Sequence, residues 1–230
     1  MNLWGVIEIF VGLQSFPVMV GYLIMVFLAS FYHKITKPLS LRMLMIVYNS
    51  LCSIASVGTC IAFGYGMYNV RSVFALDSSD VLKHAFLIYW IMKNIELLDT
   101  VFMILRHKHR QISFLHVYHH SSMVLLSDFA YQYSPYAGIA FLLSLNSFVH
   151  IWLYYYYSIT AYDSSQSPSW KKRITQLQIA QFVIAIVHTT LGYQAHGFCV
   201  YSMFYSWSMM ALFSNFYYQA FIRKRKPKSI

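Results

Sequence analysis

KNIELLDTVFMILRHKHRQISFLHVYHH, residues 93–120, holds two apolar runs joined by a short basic link containing Arg106, Lys108 and Arg110. The first run carries Lys93, Glu96, Asp99 and Thr100 at spacings of three and four residues or fewer, and the second carries His116, His119 and His120 in the same pattern. Residues three and four apart share a helix face. Each run therefore reads as a helix that is apolar over most of its circumference and polar along one stripe. Such stripes face a protein interior when the surroundings are lipid, because polar groups are costly there.

The whole chain has the composition that this stretch leads one to expect. Of 230 residues, 58% are hydrophobic, 19% aromatic and only 10% charged. A soluble domain carries roughly a quarter charged residues, so a water-facing surface is excluded and an all-α polytopic membrane protein is predicted. A span takes about 20 apolar residues. Hydropathy and breaker residues predict seven, over residues 9–32, 42–66, 82–105, 112–132, 136–158, 174–195 and 198–222. Residues 1–230 are expected to form a single integral membrane domain with no internal repeat. Met1 to Glu8 lacks a basic region ahead of the first apolar run, which predicts a retained helix in place of a cleaved signal peptide. Cys52, Cys60 and Cys199 are scattered, with no disulfide framework or metal-ligand spacing.

The basic residues orient the spans. Lys34, Lys37 and Arg42 follow span one; Arg106, Lys108 and Arg110 follow span three; Lys171, Lys172 and Arg173 follow span five; Arg223, Lys224, Arg225, Lys226 and Lys228 follow span seven. Fourteen of 17 Lys and Arg thus fall on one side, which the positive-inside rule makes cytosolic. The N-terminus is then expected on the far side and the C-terminus in the cytosol. The net charge of +10 bears on topology and on anionic partners at that face.

Four helices carry polar stripes at a common depth. Besides spans three and four, span five carries Asn146, His150, Tyr154 and Tyr157, and span six carries Thr175, Gln178 and Gln181. At about 1.5 Å of rise per residue, Glu96, His119, His150 and Gln181 all lie roughly 12–15 Å from the nearest cytosolic marker. This predicts a buried site opening toward the basic loops. Beyond it, apolar segments such as Met123 to Leu126, Ala140 to Leu143, Val183 to Val187 and Phe204 to Leu212 could line a tunnel or face lipid.

Imidazole can serve as a nucleophile toward a thioester, and a second imidazole can move protons. Basic residues at the mouth suit phosphate. An amphiphile with a phosphate-rich head, a reactive carbonyl and an apolar tail, such as an acyl-CoA, matches mouth, layer and tunnel in that order. Two alternatives stay open on these residues: a seven-helix transporter or receptor, and a histidine-box di-metal lipid oxygenase or desaturase, although one H-x-x-H-H box is few for the latter.

Lys93-Asn-Ile-Glu96-Leu-Leu-Asp99-Thr100 fits K-x-x-E-x-x-D-T, and His116-Val-Tyr-His119-His120 fits H-x-x-H-H. Asn146-Ser-Phe-Val-His150-Ile-Trp-Leu153-Tyr154-Tyr155-Tyr156-Tyr157 fits N-x-x-x-H-x-x-M-Y-x-Y-Y with Leu153 in place of methionine, and Thr175-Gln-Leu-Gln178-Ile-Ala-Gln181 fits T-x-x-Q-x-x-Q. In this order the motifs resemble the fatty-acid elongase family, the very-long-chain 3-oxoacyl-CoA synthases of the endoplasmic reticulum. The resemblance covers residue 16 onward.

It implies seven transmembrane helices, six of them forming an inverted barrel around a closed-ended acyl tunnel. It further implies condensation of an acyl-CoA with malonyl-CoA to a 3-oxoacyl-CoA two carbons longer, with release of CO2 and CoA. His119 is implied as the acyl-carrying nucleophile and His150 as the group assisting malonyl decarboxylation. His116 and His120 would orient them, and Lys93, Glu96 and Asp99 would hold and polarise the site. Asn146, Tyr154, Tyr157, Gln178, Gln181, Arg106, Lys108, Lys171, Lys172 and Arg223 are the expected substrate-binding residues.

No metal, cofactor or nucleic-acid partner is implied, while the lipid bilayer, a homodimer and other elongation-cycle enzymes are the expected associations. Gln111, with Asn146-Ser-Phe and Thr175-Gln, is more similar to the branch acting on polyunsaturated chains. Lys226-Pro-Lys228-Ser-Ile resembles a K-x-K-x-x retrieval signal for the endoplasmic reticulum, and a basic tail meeting anionic lipid accounts for it equally well.

Overall fold

The computed structural model describes residues 3–163, 170–198 and 200–223. These residues are mostly helical, without a strand among them: α1 (Leu3–Gly12), α2 (Phe16–Ile35), α3 (Arg42–Val70), α4 (Asp80–Ile95), α5 (Leu98–Leu105), α6 (Phe114–Tyr133), α7 (Ala137–Tyr162), α8 (Lys171–His196) and α9 (Val200–Tyr217). A 3-10 turn, His109–Gln111, precedes α6, and a π turn, Tyr218–Ile222, follows α9. Cys199 and the Lys226–Ile230 retrieval motif lie outside the described residues.

Local chemistry sets the ends. Ser79 and Ser113 cap α4 and α6 by accepting the N–H of Leu82 at 3.2 Å and of His116 at 3.3 Å. Pro17 sits in the first turn of α2, where its missing N–H costs nothing.

Every predicted span overlaps a helix, with two departures. Span one is split: α1 ends at Gly12, and the chain turns before α2 because buried Asp128 accepts the backbone N–H of Ser15 at 2.7 Å. Span three is split into α4 and α5. There the N–H groups of Leu97, Asp99 and Thr100 bond carbonyls three residues back, a tighter turn than the α-helix, and this re-aims Glu96 and Asp99. Four helices, α2, α3, α7 and α8, are long and apolar enough to cross a membrane by length and composition. The other predicted spans fall short for physical reasons: α4 and α5 are short, α6 carries three histidines and Asp128, and α9 is rich in serine.

Hydrogen bonds between helix ends show that the chain runs up and down. Leu39 N–H bonds Leu105 C=O at 2.9 Å, Arg42 reaches the C=O of Tyr162, and Gln176 donates to Tyr217 Oη at 3.1 Å. These contacts join the ends of α2, α3, α5, α7, α8 and α9 that bear the basic residues. At the opposite end, the N–H groups of Ala137 and Gly138 bond the carbonyls of Asp77 and Ala75. Laterally, α3 lies against α4 and α7, α4 against α6, α6 against α9, and α8 against both α7 and α9.

Burial is that of a protein whose polar groups face inward. Lys93 and Glu96 are 3% exposed and Thr100 and Asp128 0%, whereas Phe27 is 82% and Phe204 67% exposed. A soluble fold reverses this order; lipid is the solvent that accepts it. The apolar segments whose role the sequence leaves open now divide, since Met123, Leu126, Leu142 and Leu143 face the interior cavity described below while Val183, Val187 and Phe204 point outward.

Glycine matters where α7 and α8 receive the ring of Phe198. A Cβ on Gly138 would lie 2.2 Å, and one on Gly192 2.3 Å, from that ring, itself buried beside His188. Gly138→Ala or Gly192→Ala is expected to cost about 1–3 kcal/mol through overpacking. Thermal unfolding of the detergent-solubilised protein checks this, and adding Phe198→Leu is expected to return the midpoint toward that of the parent.

Candidate active site

The break between α4 and α5 builds the centre of the site. Lys93, in the last turn of α4, donates to both carboxylate oxygens of Glu96 at 3.0 and 2.8 Å. His150 of α7 brings Nδ1 to 3.3 Å from Glu96 Oε1 and 3.4 Å from Lys93 Nζ. An Nδ1–H donating to the carboxylate leaves the Nε2 lone pair of His150 for proton transfer, because the bond made by one ring nitrogen selects the tautomer. Charges this deeply buried persist when paired and fully hydrogen-bonded. Tyr89, one turn before Lys93, places its ring 4.8 Å from Nζ and donates its hydroxyl to Asn146 Oδ1 at 2.7 Å.

Asp99 and Thr100 begin α5 and face elsewhere. Tyr154 Oη donates to Asp99 Oδ2 at 2.8 Å, and Thr100 Oγ1 lies 2.7 Å from His116 Nε2 and 3.1 Å from Tyr22 Oη. His116 is thereby tied to α5 and α2, and its ring lies 4.3 Å from that of His120, tilted by 47°. His119 points the other way, with Nδ1 3.0 Å from the hydroxyl of Tyr205 on α9. That contact occupies Nδ1 and leaves Nε2 as the other ring nitrogen. The His119 and His150 rings are 6.4 Å apart, close enough for both to reach one small reacting group.

His119 also lines a partly enclosed cavity of about 70 Å³ between α6, α7, α8 and α9. Its polar end is formed by His119, Asn146, Gln181 and Tyr205. Beyond them the wall is mostly apolar, with Met123, Leu126, Ala130, Ile139, Leu142, Leu143, Phe182 and Ala185 interspersed with Ser127, Ser202 and the ring of Tyr201. From His119 to Ala130 along α6 the lining spans roughly 16 Å. Imidazole at one end and a mostly apolar wall along the rest suits a reactive carbonyl followed by an alkyl chain.

The expected residues therefore divide. Lys93, Glu96, Asp99, His116, His119, His120, His150, Asn146 and Tyr154 meet in one polar layer, and Gln181 joins it across the cavity. Gln178 is half-buried and absent from the cavity wall, and Tyr157 packs beside Tyr154. Arg106, Lys108, Lys171, Lys172 and Arg223 stay at the basic end, where Lys172 lies over the Tyr217 ring at 5.9 Å and Arg223 donates to Gln219 at 2.9 Å. Sequence reasoning missed Tyr205, Tyr89 and Tyr22. Tyr89 was reachable, since it extends the Lys93 stripe back by one turn; Tyr205 lies in a serine-rich helix without a charged or histidine stripe to single it out.

Among the described residues, no three His, Cys, Asp or Glu side chains form a group that could hold a metal ion. The box histidines turn toward separate partners, Thr100 and Tyr205.

Over residues 13–229 the chain matches the model of the ELO (GNS1/SUR4) family. It is 34% identical over 233 residues to very long chain fatty acid elongase 2 of Mus musculus, covering 95% of this chain and 79% of that protein. It is 33% identical over 225 residues to very long chain fatty acid elongase 5 of Homo sapiens, covering 92% and 75%. To elongase 4 of Homo sapiens it is 32% identical over 225 residues, covering 90% and 71%. With a family match over nearly its whole length and relatives above 30% identity, the chain belongs to the ELO (GNS1/SUR4) family.

Proposed function

We propose that this protein elongates fatty acids, condensing a long-chain acyl-CoA with malonyl-CoA to a 3-oxoacyl-CoA two carbons longer, with release of CO2 and CoA. The observation that carries the reading is the cavity with His119 at its polar end and a mostly apolar wall beyond. In the first half-reaction His119 Nε2 attacks the thioester carbon; the C–N bond forms, the C–S bond breaks, and CoA leaves as thiolate and takes up the proton that the imidazole loses from Nδ1. In the second, malonyl-CoA loses CO2, and the electron pair of the broken C–C bond forms the enolate of acetyl-CoA. That carbon attacks the acyl-imidazole, a new C–C bond forms, the C–N bond breaks, and His119 departs and regains a proton from the medium.

The buried Lys93 ammonium adds positive charge beside the enolate oxygen, and His150, held by Glu96 and Lys93, donates to that oxygen once its Nε2 has taken up a proton. Water exclusion protects the activated acyl group. Decarboxylation supplies the carbanion, so no strong base is needed.

The order of helix neighbours supports a ring of α3, α4, α6, α9, α8 and α7 around the tunnel, with α2 outside it and α5 completing the third span. That gives the seven-span arrangement. The shared basic end supports a cytosolic mouth and C-terminus, a lumenal N-terminus and residence in the endoplasmic reticulum. We place CoA phosphates at Arg106, Lys108, Lys171, Lys172 and Arg223, and carry forward a preference for polyunsaturated chains from Gln111 and its companions. A homodimer and association with the enzymes that reduce and dehydrate the product belong to the same reading.

Purified protein given acyl-CoA and [2-13C]malonyl-CoA tests the function. The expected product is a 3-oxoacyl-CoA carrying the label at C2; acyl-CoA recovered unchanged with malonyl-CoA intact would refute it. Tyr205→Phe is expected to lower kcat about tenfold with little change in KM, the cost of about one lost hydrogen bond to the nucleophile. Steady-state kinetics on both substrates checks this.

A further inference from the structure

We propose that His33, His107 and His109 form a proton-coupled binding site for a phosphate ester dianion at the basic end of the molecule. The three rings come from the end of α2, the residue after the α5 C-cap and the 3-10 turn, with ring centres 4.4 Å apart for His33 and His107 and 3.7 Å for His33 and His109. Hydrogen bonding fixes each neutral tautomer. His33 Nε2 lies 2.7 Å from the C=O of Ile104, which can only accept, so Nε2 carries the proton and Nδ1 is bare. His109 Nδ1 lies 3.0 Å from that bare nitrogen and must donate to it, leaving its own Nε2 bare. Thr36 spends its one hydroxyl proton on the C=O of Tyr32 at 2.8 Å, so His107 Nε2, at 3.1 Å, donates to Thr36 and leaves Nδ1 bare.

The neutral cluster thus turns two unused lone pairs outward, on His107 Nδ1 and His109 Nε2, and repels an anion. Protonation converts those two nitrogens into charged N–H donors.

The surroundings favour the anion. Tyr32 on α2 and Thr36 on the link to α3 touch the rings, and the basic neighbours of the three histidines in the chain are Lys34, Lys37, Arg106, Lys108 and Arg110. Among the described residues, no carboxylate pairs with any of these groups. Loss of water around the ring, then the neighbouring His33 and His109, hold His107 below the ordinary histidine value. An anion taken up at the cluster reverses that preference. The three rings are not a metal-holding group, which separates this reading from a metal site.

The backbone is bent to serve the cluster. Arg106 caps α5, and the N–H groups of His107 and Lys108 bond the carbonyls of Ile104 at 3.0 Å and Met103 at 2.8 Å, the Schellman pattern. His107 holds the left-handed position of that motif with φ 56°, where glycine is the usual residue. The imidazole is kept there against a conformational cost.

The phosphate has two sources: a soluble ester such as the head of coenzyme A, or a lipid headgroup. The coenzyme A source rests on the function proposed above; the cluster does not. The test uses the full chain with ring-labelled histidine, titrated by NMR in phosphatidylcholine nanodiscs. Sulfate, which stays doubly charged across neutral pH, is the first probe; coenzyme A and phosphatidic acid in the disc are the other two.

Sulfate is expected to raise the titration midpoints of the cluster histidines by about one unit, equivalent to about tenfold tighter binding to the protonated form. His107→Gly, which suits the left-handed turn while removing the imidazole, is expected to keep the fold and lose the rise. A rise with coenzyme A or with phosphatidic acid identifies the source. No rise with any of the three overturns the proposal. Elongation without a rise would sink this site alone, and a rise without elongation would sink the proposed function alone.

Discussion

His119→Ala is expected to form no covalent acyl-enzyme on incubation with acyl-CoA and to lose at least about a thousandfold in turnover, the scale on which removal of a nucleophile is felt. The reasoning is geometric. Among the described histidines, His119 is the one that lines the apolar cavity, and Tyr205 at 3.0 Å occupies its Nδ1 and leaves Nε2 for attack. His116 and His120 share its helix and lie off the cavity wall, and His116 is committed to Thr100. Intact-mass measurement decides the point. A full-occupancy acyl adduct on the alanine variant would remove His119 from this role. His150→Ala, by contrast, is expected to accept the acyl group and stall before carbon–carbon bond formation.

Lys93→Met has the largest expected effect on stability. It leaves the Glu96 carboxylate, 3% exposed, without its ammonium partner, and breaking a buried pair from one side costs about 3–5 kcal/mol. Because the cost comes from the stranded charge, the double variant Lys93→Met/Glu96→Gln is expected to regain most of it, although condensation stays abolished. Thermal unfolding in one detergent, compared across parent, single and double variants, reads the first quantity, and product formation reads the second. A single variant as stable as the parent would show that the carboxylate is satisfied without the lysine.

Much of this site is legible in the amino-acid order because helical spacing is rigid. Three- and four-residue intervals put Lys93 with Glu96, and His116 with His120, on common faces, and rise per residue puts four such faces at one depth. The structure departs where a tertiary contact overrides local pattern. Nothing in Asn94 to Leu98 signals a break, since no glycine or proline stands there, yet the tightened turn sends Glu96 toward His150 and Asp99 toward Tyr154.

The first span is cut by Asp128, a partner 113 residues away. Gly12, Ser15 and Pro17 mark a break locally, but nothing in that segment points to the distant carboxylate that fixes the turn. Tyr205 and the His33–His107–His109 cluster escaped for the same reason. Their partners are distant in sequence, and a count of lysine and arginine passes over loop histidines.

The most direct test of the central claim is to give the purified protein acyl-CoA alone, without malonyl-CoA, and follow free CoA with time. The account predicts a burst of about one equivalent of CoA per protein molecule and a mass gain equal to the acyl group, followed by 3-oxoacyl-CoA once malonyl-CoA is added. CoA that appears only after malonyl-CoA is present, with the protein mass unchanged throughout, would contradict it.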